Sequence, residues 1–395
     1  MALVLFDPPD RDRWYPFSRT RAIGACRAGI CTMQERWALL TQLPVFLHTH
    51  PYLQSRYPLP PVDNTPVYWV DARVIPSPGL VNQVLSLPVG TCLTDAMGLI
   101  AGALSVLPQD FVVAKAAGYF QQSISVDAVQ RIRYPWELLQ YHEALLQQDF
   151  QLVTRNRVSA PISQTNRVLG AEQVFLEAGV SMEFVTLNAT TGPIYIGKNA
   201  TVMEGSCIRG SFALGENSLL KLNSRVYGVT SLGPNCMGGG EIKNSIMMGW
   251  SNKAHDGYMG DAVIGEWCNW GAGTTNSNVK NNAGTVHMWS VYDDGYLPVG
   301  QKAGVLMGDY SRTAIQSAIN TGSVIGVACN VFGAGLLPTI INDCSWGVQG
   351  IQYEWQKLIP DINNWKKMKG QILSPEEESV LAYIFEHLNS KAANP

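Results

Sequence analysis

The chain has 395 residues, a formal net charge of −3, 46% hydrophobic and 15% charged side chains. That length suffices for two domains, each with its own core. The charge offers no basic field for nucleic acid, and no apolar run approaches the ~18 residues of a membrane span. The opening ALVLF gives way at once to DPPDRD, so it reads as a buried first strand and not as a secretory leader. The eight cysteines include no C-x-x-C pair. They read as buried thiols of a reducing, cytoplasmic protein.

After ALVLF comes a charged loop, DPPDRDRWYPFSRTRAIGACRAG. TMQERWALLTQL opens a helix, with Thr32 and Glu35 in capping-box spacing. VYWVDARVI reads as a strand and SPGLVNQVLSL as a helix entered through Pro78. GTCLTDAMGLIAGAL and WELLQYHEALLQQDFQLV continue the alternation. Residues 1–180 are therefore expected to form an α/β domain with a largely parallel sheet. Ligands of such sheets bind at the carboxyl ends of strands, which puts the first loop at the site. It holds Asp7, Asp10, Asp12, Arg11, Arg13, Arg19, Arg21 and Arg27. Guanidinium groups grip phosphate oxygens in pairs, so the loop reads as a phosphate and metal site for a nucleoside triphosphate. The plain alternative is a solvated loop whose charges pair with one another. The region contains neither a P-loop nor a G-x-G-x-x-G motif.

A different rhythm then takes over. Ile196, Val202, Ile208, Leu214, Leu220, Val226 and Leu232 recur at an interval of six. Four places after each stand Ala200, Ser206, Phe212, Ser218, Ser224, Thr230 and Cys236, all small but Phe212. The same beat runs from Met307 through Thr313, Ile319 and Ile325 to Val331. Neither a strand (period two) nor a helix (3.6) produces it. A hexapeptide period marks a parallel β-helix, in which three hexapeptides make one triangular turn. Residues 181–350 are expected to form a left-handed coil of this kind, and residues 351–395 a helical extension. In that extension SPEEESVLAYIFEHLNSK starts a helix at Ser374. The phase slips between Leu232 and Ile264, and a polar excursion from Asn276 to Leu306 has the length of a functional loop.

The slip brackets NKAHDGYMGDAVIGEWCNWGAGTTNSN, residues 252–278. His255 sits there with Tyr258 and, on the next face, Asn269. A general base must take a proton from an attacking amine or hydroxyl, and an ordinary imidazole at ~6.5 suits that near neutrality. An asparagine amide or a backbone N–H can hold a developing oxyanion. No Ser-His-Asp or Cys-His spacing stands out, so the pattern points to direct transfer from a thioester. His287 in the later loop is the rival base. The bland readings are a structural histidine and a coil that serves only assembly.

These residues carry a resemblance. The 252–278 stretch resembles the acetyltransferase signature of the bifunctional N-acetylglucosamine-1-phosphate uridyltransferase/glucosamine-1-phosphate N-acetyltransferase family. LFDPP, YPFSRTRAIG, RAGI, TMQERW and RYPWELL resemble the variant form found in Bacteroidetes-type bacteria. The resemblance implies His255 as base for the glucosamine amine, with Asn269 among the contacts to the sugar phosphate. It implies Tyr258, Lys243 and Arg225 on the sugar phosphate, and Ala272 and Asn278 along acetyl-coenzyme A. In the first domain it implies uridyl transfer from UTP, with Arg13, Arg21 and Arg27 on the nucleotide and Mg²⁺ near Asp7 and Asp71. The usual L-x-A-G-x-G-T-R loop is missing; Arg13 stands in its arginine's place, and Ala22 replaces an expected proline. The expected partners are small sugar phosphates and nucleotides, in a homotrimer whose rungs pack side by side. The alternatives are one active half working on another sugar phosphate, and a non-catalytic β-helix.

Overall fold

The computed structural model describes residues 1–61, 65–105 and 113–388. Ala2–Phe6 (β1) is buried along its whole length, as its unbroken apolar run requires when both faces of a strand are covered. α1 (Met33–Thr41) starts at the Thr32–Glu35 capping box. Then come β2 (Val45–His48), the short α2 (Pro51–Gln54), β3 (Val67–Asp71), α3 (Pro78–Leu85), β4 (Thr91–Asp95), β5 (Gly98–Leu104), β6 (Gln122–Ser125) and α4 (Glu137–Thr154). The sheet order is β2-β1-β3-β5-β4-β6. β1 runs parallel to β2 and β3, and β4 parallel to β6. β5 is antiparallel to both its neighbours. The sheet is thus mixed, because GTCLTDAMGLIAGAL turns back on itself as the β4–β5 hairpin.

The coil begins earlier than the expected boundary at 181. Arg167–Leu169 already pairs in parallel with Thr186–Asn188. Successive rungs stack three parallel faces. The first face runs from Arg167–Leu169 to Tyr258–Gly260, the second from Val174–Leu176 to Ile340–Ile341, and the third from Ser181–Met182 to Ser345–Trp346. Inside, Ile196, Leu214, Leu232, Met247, Ile264, Met307, Ile325 and Ile341 lie in register one above another. Each is at most 4% exposed, so every rung buries the next. The small slots bind rung to rung: Ser218 Oγ donates to Gly233 O and accepts from the Cys236 amide. Ser251 and Ser311 repeat that pattern. Asn199, Asn217 and Asn235 take the left-handed conformation at one corner, with φ of 56–58°; among L-residues asparagine tolerates it best.

The phase slip leaves the coil unbroken. Val226 pairs with Ile242, sixteen residues on, and Leu232 with Met247, fifteen on. Tight corners at Gly239–Gly240 and Asn244–Ser245 shorten the rung. The 276–306 excursion contains an antiparallel hairpin, Val286–Ser290 with Gly295–Gly300. Its Val286 and Met288 join the core of the first domain.

The first domain docks on the second face. Trp14, Phe17, Trp37 and Leu145 share one apolar cluster with Ile246, Met248, Val263, Leu306 and Val324 of the coil. α5 (Trp355–Lys367) and α6 (Pro375–Tyr383) follow the coil. α6 starts at the Ser374 cap as read, and a π turn, Ile384–Leu388, continues it; positions 389–391 of that reading lie outside the described residues. Leu358, Ile362 and Leu381 pack on Tyr310, Ala328 and Cys344 at the second-to-third corner. Among the described residues, the apolar clusters of the first domain and of α5 and α6 include no residue of the first face or of the third-to-first corner.

Candidate functional site

Five of the singled-out residues gather at the third-to-first corner and on the first face beside it. His255 is exposed there, on the short turn between Asn252–Lys253 and Tyr258–Gly260. The next corner stacks directly on it, since the Gly273 amide donates to Asp256 O at 3.1 Å. That brings Ala272 alongside. On the adjoining first face, Arg225 stands in register with Glu241, and Glu241 with Tyr258; Tyr227 stands in register with Lys243. Lys243 Nζ lies 5.8 Å above the Tyr227 ring, and the Tyr227 hydroxyl donates to Glu241 at 2.6 Å. Among the described residues neither Arg225 nor Lys243 enters an ion pair.

Tyr258 is poised as a donor. Its hydroxyl accepts from Asn278 Nδ2 at 3.1 Å, and Asn278 also binds the Asp261 carboxylate, which accepts from Asn244 as well. Burial, then the nearby Asp261 charge, pushes the Tyr258 phenol up to about 12. The phenol therefore keeps its own proton, free to point at an acceptor on a ligand. Asn278 thus supports Tyr258. Asn269 lies elsewhere: it belongs to the third face, where its Oδ1 accepts from Asn252 at 3.4 Å. His287 is exposed on the hairpin, its Nδ1 3.2 Å from Thr285 O, and has no contact with the corner among the described residues.

Sequence reading missed Lys253. It is 2% exposed, inside the coil, with Nζ donating to Gly239 O at 2.7 Å and to His255 O at 2.9 Å. A lysine in register with Gly238 and following Val202 and Leu220 along one interior column was the available signal.

The arginine-rich loop does something other than face solvent. Arg21 Nη2 donates to Asp309 at 2.5 Å, Thr20 to the same carboxylate at 2.7 Å, and Arg21 also reaches Glu266 at 3.3 Å. Arg19 and Tyr15 bind Asp343 at 3.3 and 3.1 Å. Arg13 binds Asp293 of the hairpin at 2.9 Å and lies between the Tyr134 and Tyr292 rings. Burial opposes the Arg21 charge, but Asp309 and Glu266 outweigh it and raise its pKa well above the ordinary value. Arg27 donates to Ile30 O and pairs with Glu35. The loop therefore clasps the coil, and its charges pair with coil carboxylates rather than with one another alone.

The carboxylates at the strand ends are likewise taken. Asp7 accepts from the Ile23 amide, Arg11 and Thr49. Asp71 accepts from the Arg73 amide and guanidinium, with Arg131 at 3.7 Å. Mg²⁺ demands open oxygen ligands in near-octahedral geometry. Neither side chain offers them, and no cluster of three or more His, Cys, Asp or Glu suited to a metal occurs among the described residues. All eight cysteines are free, and only Cys207 is exposed. No described helix is long and apolar enough to cross a membrane.

Comparison with known proteins fits this two-part build. Residues 3–158 match the family described as sugar nucleotidyl transferase. The bifunctional protein GlmU of Methanocaldococcus jannaschii is 35% identical over 96 residues, covering 22% of this chain and 21% of the relative. A bifunctional sugar-1-phosphate nucleotidylyltransferase/acetyltransferase of Sulfurisphaera tokodaii is 33% identical over 92 residues, 23% of each chain. The bifunctional protein GlmU of Rippkaea orientalis is 37% identical over 86 residues, 21% of this chain and 18% of the relative. The chain spans about a fifth of the length of these relatives. A solved UDP-N-acetylglucosamine acyltransferase from Arabidopsis aligns at 12% identity over 57% of this chain and 96% of its own, with a TM-score of 0.29, too slight a likeness to bear on the reading. The molecule is an α/β domain, matched over residues 3–158 by the sugar nucleotidyl transferase family, joined to a parallel β-helix. The resemblance read from the sequence, to the bifunctional sugar-phosphate family, agrees with these matches.

Proposed function

We propose that the chain is a bifunctional sugar-phosphate transferase that acetylates glucosamine-1-phosphate from acetyl-coenzyme A and then joins N-acetylglucosamine-1-phosphate to UTP. The observation that carries the acetyl-transfer half is the contrast in charge pairing. Every arginine named in the first loop is ion-paired, whereas Arg225 and Lys243 are left for a ligand beside His255. They would hold the phosphate, with Tyr258 donating to it or to the sugar. His255 takes the proton from the amine as it attacks the thioester carbon, and thiolate leaves. Asn269 sits one face away from His255, so contact with the acetyl donor requires that the donor lie across the corner, alongside Ala272.

For uridyl transfer, the matched first domain supports the reading. Arg13, with 23% of its side chain exposed, can meet a phosphate without undocking; Arg21 and Arg27, at 4% and 11%, would have to leave their partners. A homotrimer is supported by the exposed Phe184, Leu222 and Ile315, which lie along the corner that carries His255, and by the exposed Leu336, in register with Ala318 beside it. Light scattering should give three times 43 kDa, and Ile315→Glu should shift it toward monomer; a monomeric wild type refutes the assembly.

The test of activity is acetylation of glucosamine-1-phosphate by purified protein. His255→Ala should lower turnover about 10²–10⁴-fold with an unchanged melting temperature, because the side chain is exposed. No acetylated product from wild type, or turnover within threefold in the variant, overturns the reading.

A further inference from the structure

The His255 side chain has no hydrogen bond among the described residues, so whatever aims it must act through the backbone. The corner itself is bare. In the rung below, a Cβ on Gly239 would lie 2.4 Å from Ala254 O, and one on Gly240 would lie 2.9 Å from Asp256 Cα and from His255 O. The two corners therefore touch backbone to backbone, with no side chains between them to wedge the turn. The rung above meets the turn by backbone as well, the Gly273 amide donating to Asp256 O, so no described side chain hydrogen-bonds the exposed imidazole.

Besides the Glu241 amide, which donates to Gly257 O at 3.4 Å, one side chain crosses this contact. Lys253 Nζ donates to a carbonyl of each corner, Gly239 O and His255 O. Space filling does not explain it. The same interior column holds Val202 and Leu220, and an apolar residue there would fill the coil without burying a charge, which is costly unless the charge is fully hydrogen-bonded. Burial pushes the Lys253 ammonium down to about 8, with Asp256 pulling it partly back and Arg225 lowering it further.

We infer that Lys253 is a positioning residue of the acyl-transfer site, an internal tether that ties the His255 backbone to the rung below and so holds the imidazole over the first face. The inference rests on the proposed role of His255 as base. Displacing a reacting group by about 1 Å can cost a hundredfold in rate. Lys253→Met, which keeps the length and apolar stem, should lower kcat for acetyl transfer about ten- to a hundredfold while both KM values stay within threefold. Lys253→Gln, whose amide can still donate to both carbonyls, should recover part of the loss. Because the tether acts only through His255, adding Lys253→Met to His255→Ala should slow the enzyme no further.

A normal kcat in folded Lys253→Met overturns the tether, as does a further loss that multiplies in the double variant. If wild type shows no acetyl transfer, the proposed function has failed, and the tether is read from NMR. The His255 ring resonances, assigned by their absence in His255→Ala, should shift or broaden in Lys253→Met or Lys253→Gln, with those of His287 unmoved. Unmoved His255 resonances in both variants would overturn it.

Discussion

Asp309→Asn removes the charge that answers Arg21 and keeps the shape of the side chain. Asp309 accepts from Arg21, from the Thr20 hydroxyl and from the Glu266 amide at 2.5, 2.7 and 2.8 Å. Both partners of the ion pair are nearly sealed from water, at 4% and 3% side-chain exposure. Removing one member of such a pair leaves a buried, unanswered charge and typically costs about 3–5 kcal/mol. Glu266 still reaches Arg21 at 3.3 Å, but it is 31% exposed, which places the expected loss near the lower end, about 3 kcal/mol. That is a large share of a domain's ~5–15 kcal/mol. Urea unfolding followed by linear extrapolation measures it. Arg21→Met with Asp309→Asn should regain part of the loss, since no buried charge is left unanswered and the amide oxygen still accepts from Thr20 or the Glu266 amide. A loss below about 1 kcal/mol, or a double variant no better than the single one, would refute the view that these ions hold the domains together.

The candidate site and the coil interior make further predictions. Arg225→Ala and Lys243→Ala should each raise KM for the sugar phosphate several-fold with kcat nearly constant, and the effect should shrink as salt screens the charge; a pure kcat effect would contradict phosphate binding. The folded pKa of Lys253 is about 8 against an ordinary 10.5, so between those values the unfolded chain binds the extra proton. Wild-type stability should therefore rise with pH over that window relative to Lys253→Met, by up to about 3 kcal/mol. A flat difference between pH 7 and 10 would show that the buried charge carries no such cost.

Much of the coil was legible because its period is local. Each rung repeats the demand for one bulky and one small residue, and Ile196, Leu214 and Leu232 meet it eighteen residues apart. The shortened rungs were visible only as lost phase, since glycines at 239 and 240 signal a tight corner but not how many residues it saves. The gathering of His255, Tyr258 and Lys243 could be read from the same count. The placement of Asn269 off their face follows from that count too, once Asn252 is seen to pair with it. The clasp was not legible. Arg21 and Asp309 are 288 residues apart, and no local pattern tells an arginine that will grip phosphate from one that will grip a distant carboxylate. The β4–β5 hairpin was missed for a related reason: alternation of elements suggested a crossover, and only pairing decides strand direction.

The clasp also sets an order of events as the chain is made. Arg19 is synthesised 324 residues before Asp343, an interval on the order of 15–65 s at ~5–20 residues per second. For much of it the first domain has emerged with Trp14 and Phe17 lacking the coil side of their core, and with Arg19 and Arg21 lacking their coil carboxylates. The coil suffers no such wait, because each rung needs only the one before it. The nascent first domain is thus the vulnerable partner, and the winding coil is what brings it to completion. A ribosome stalled before Asp309 would leave a well-formed spiral attached to an unfinished head.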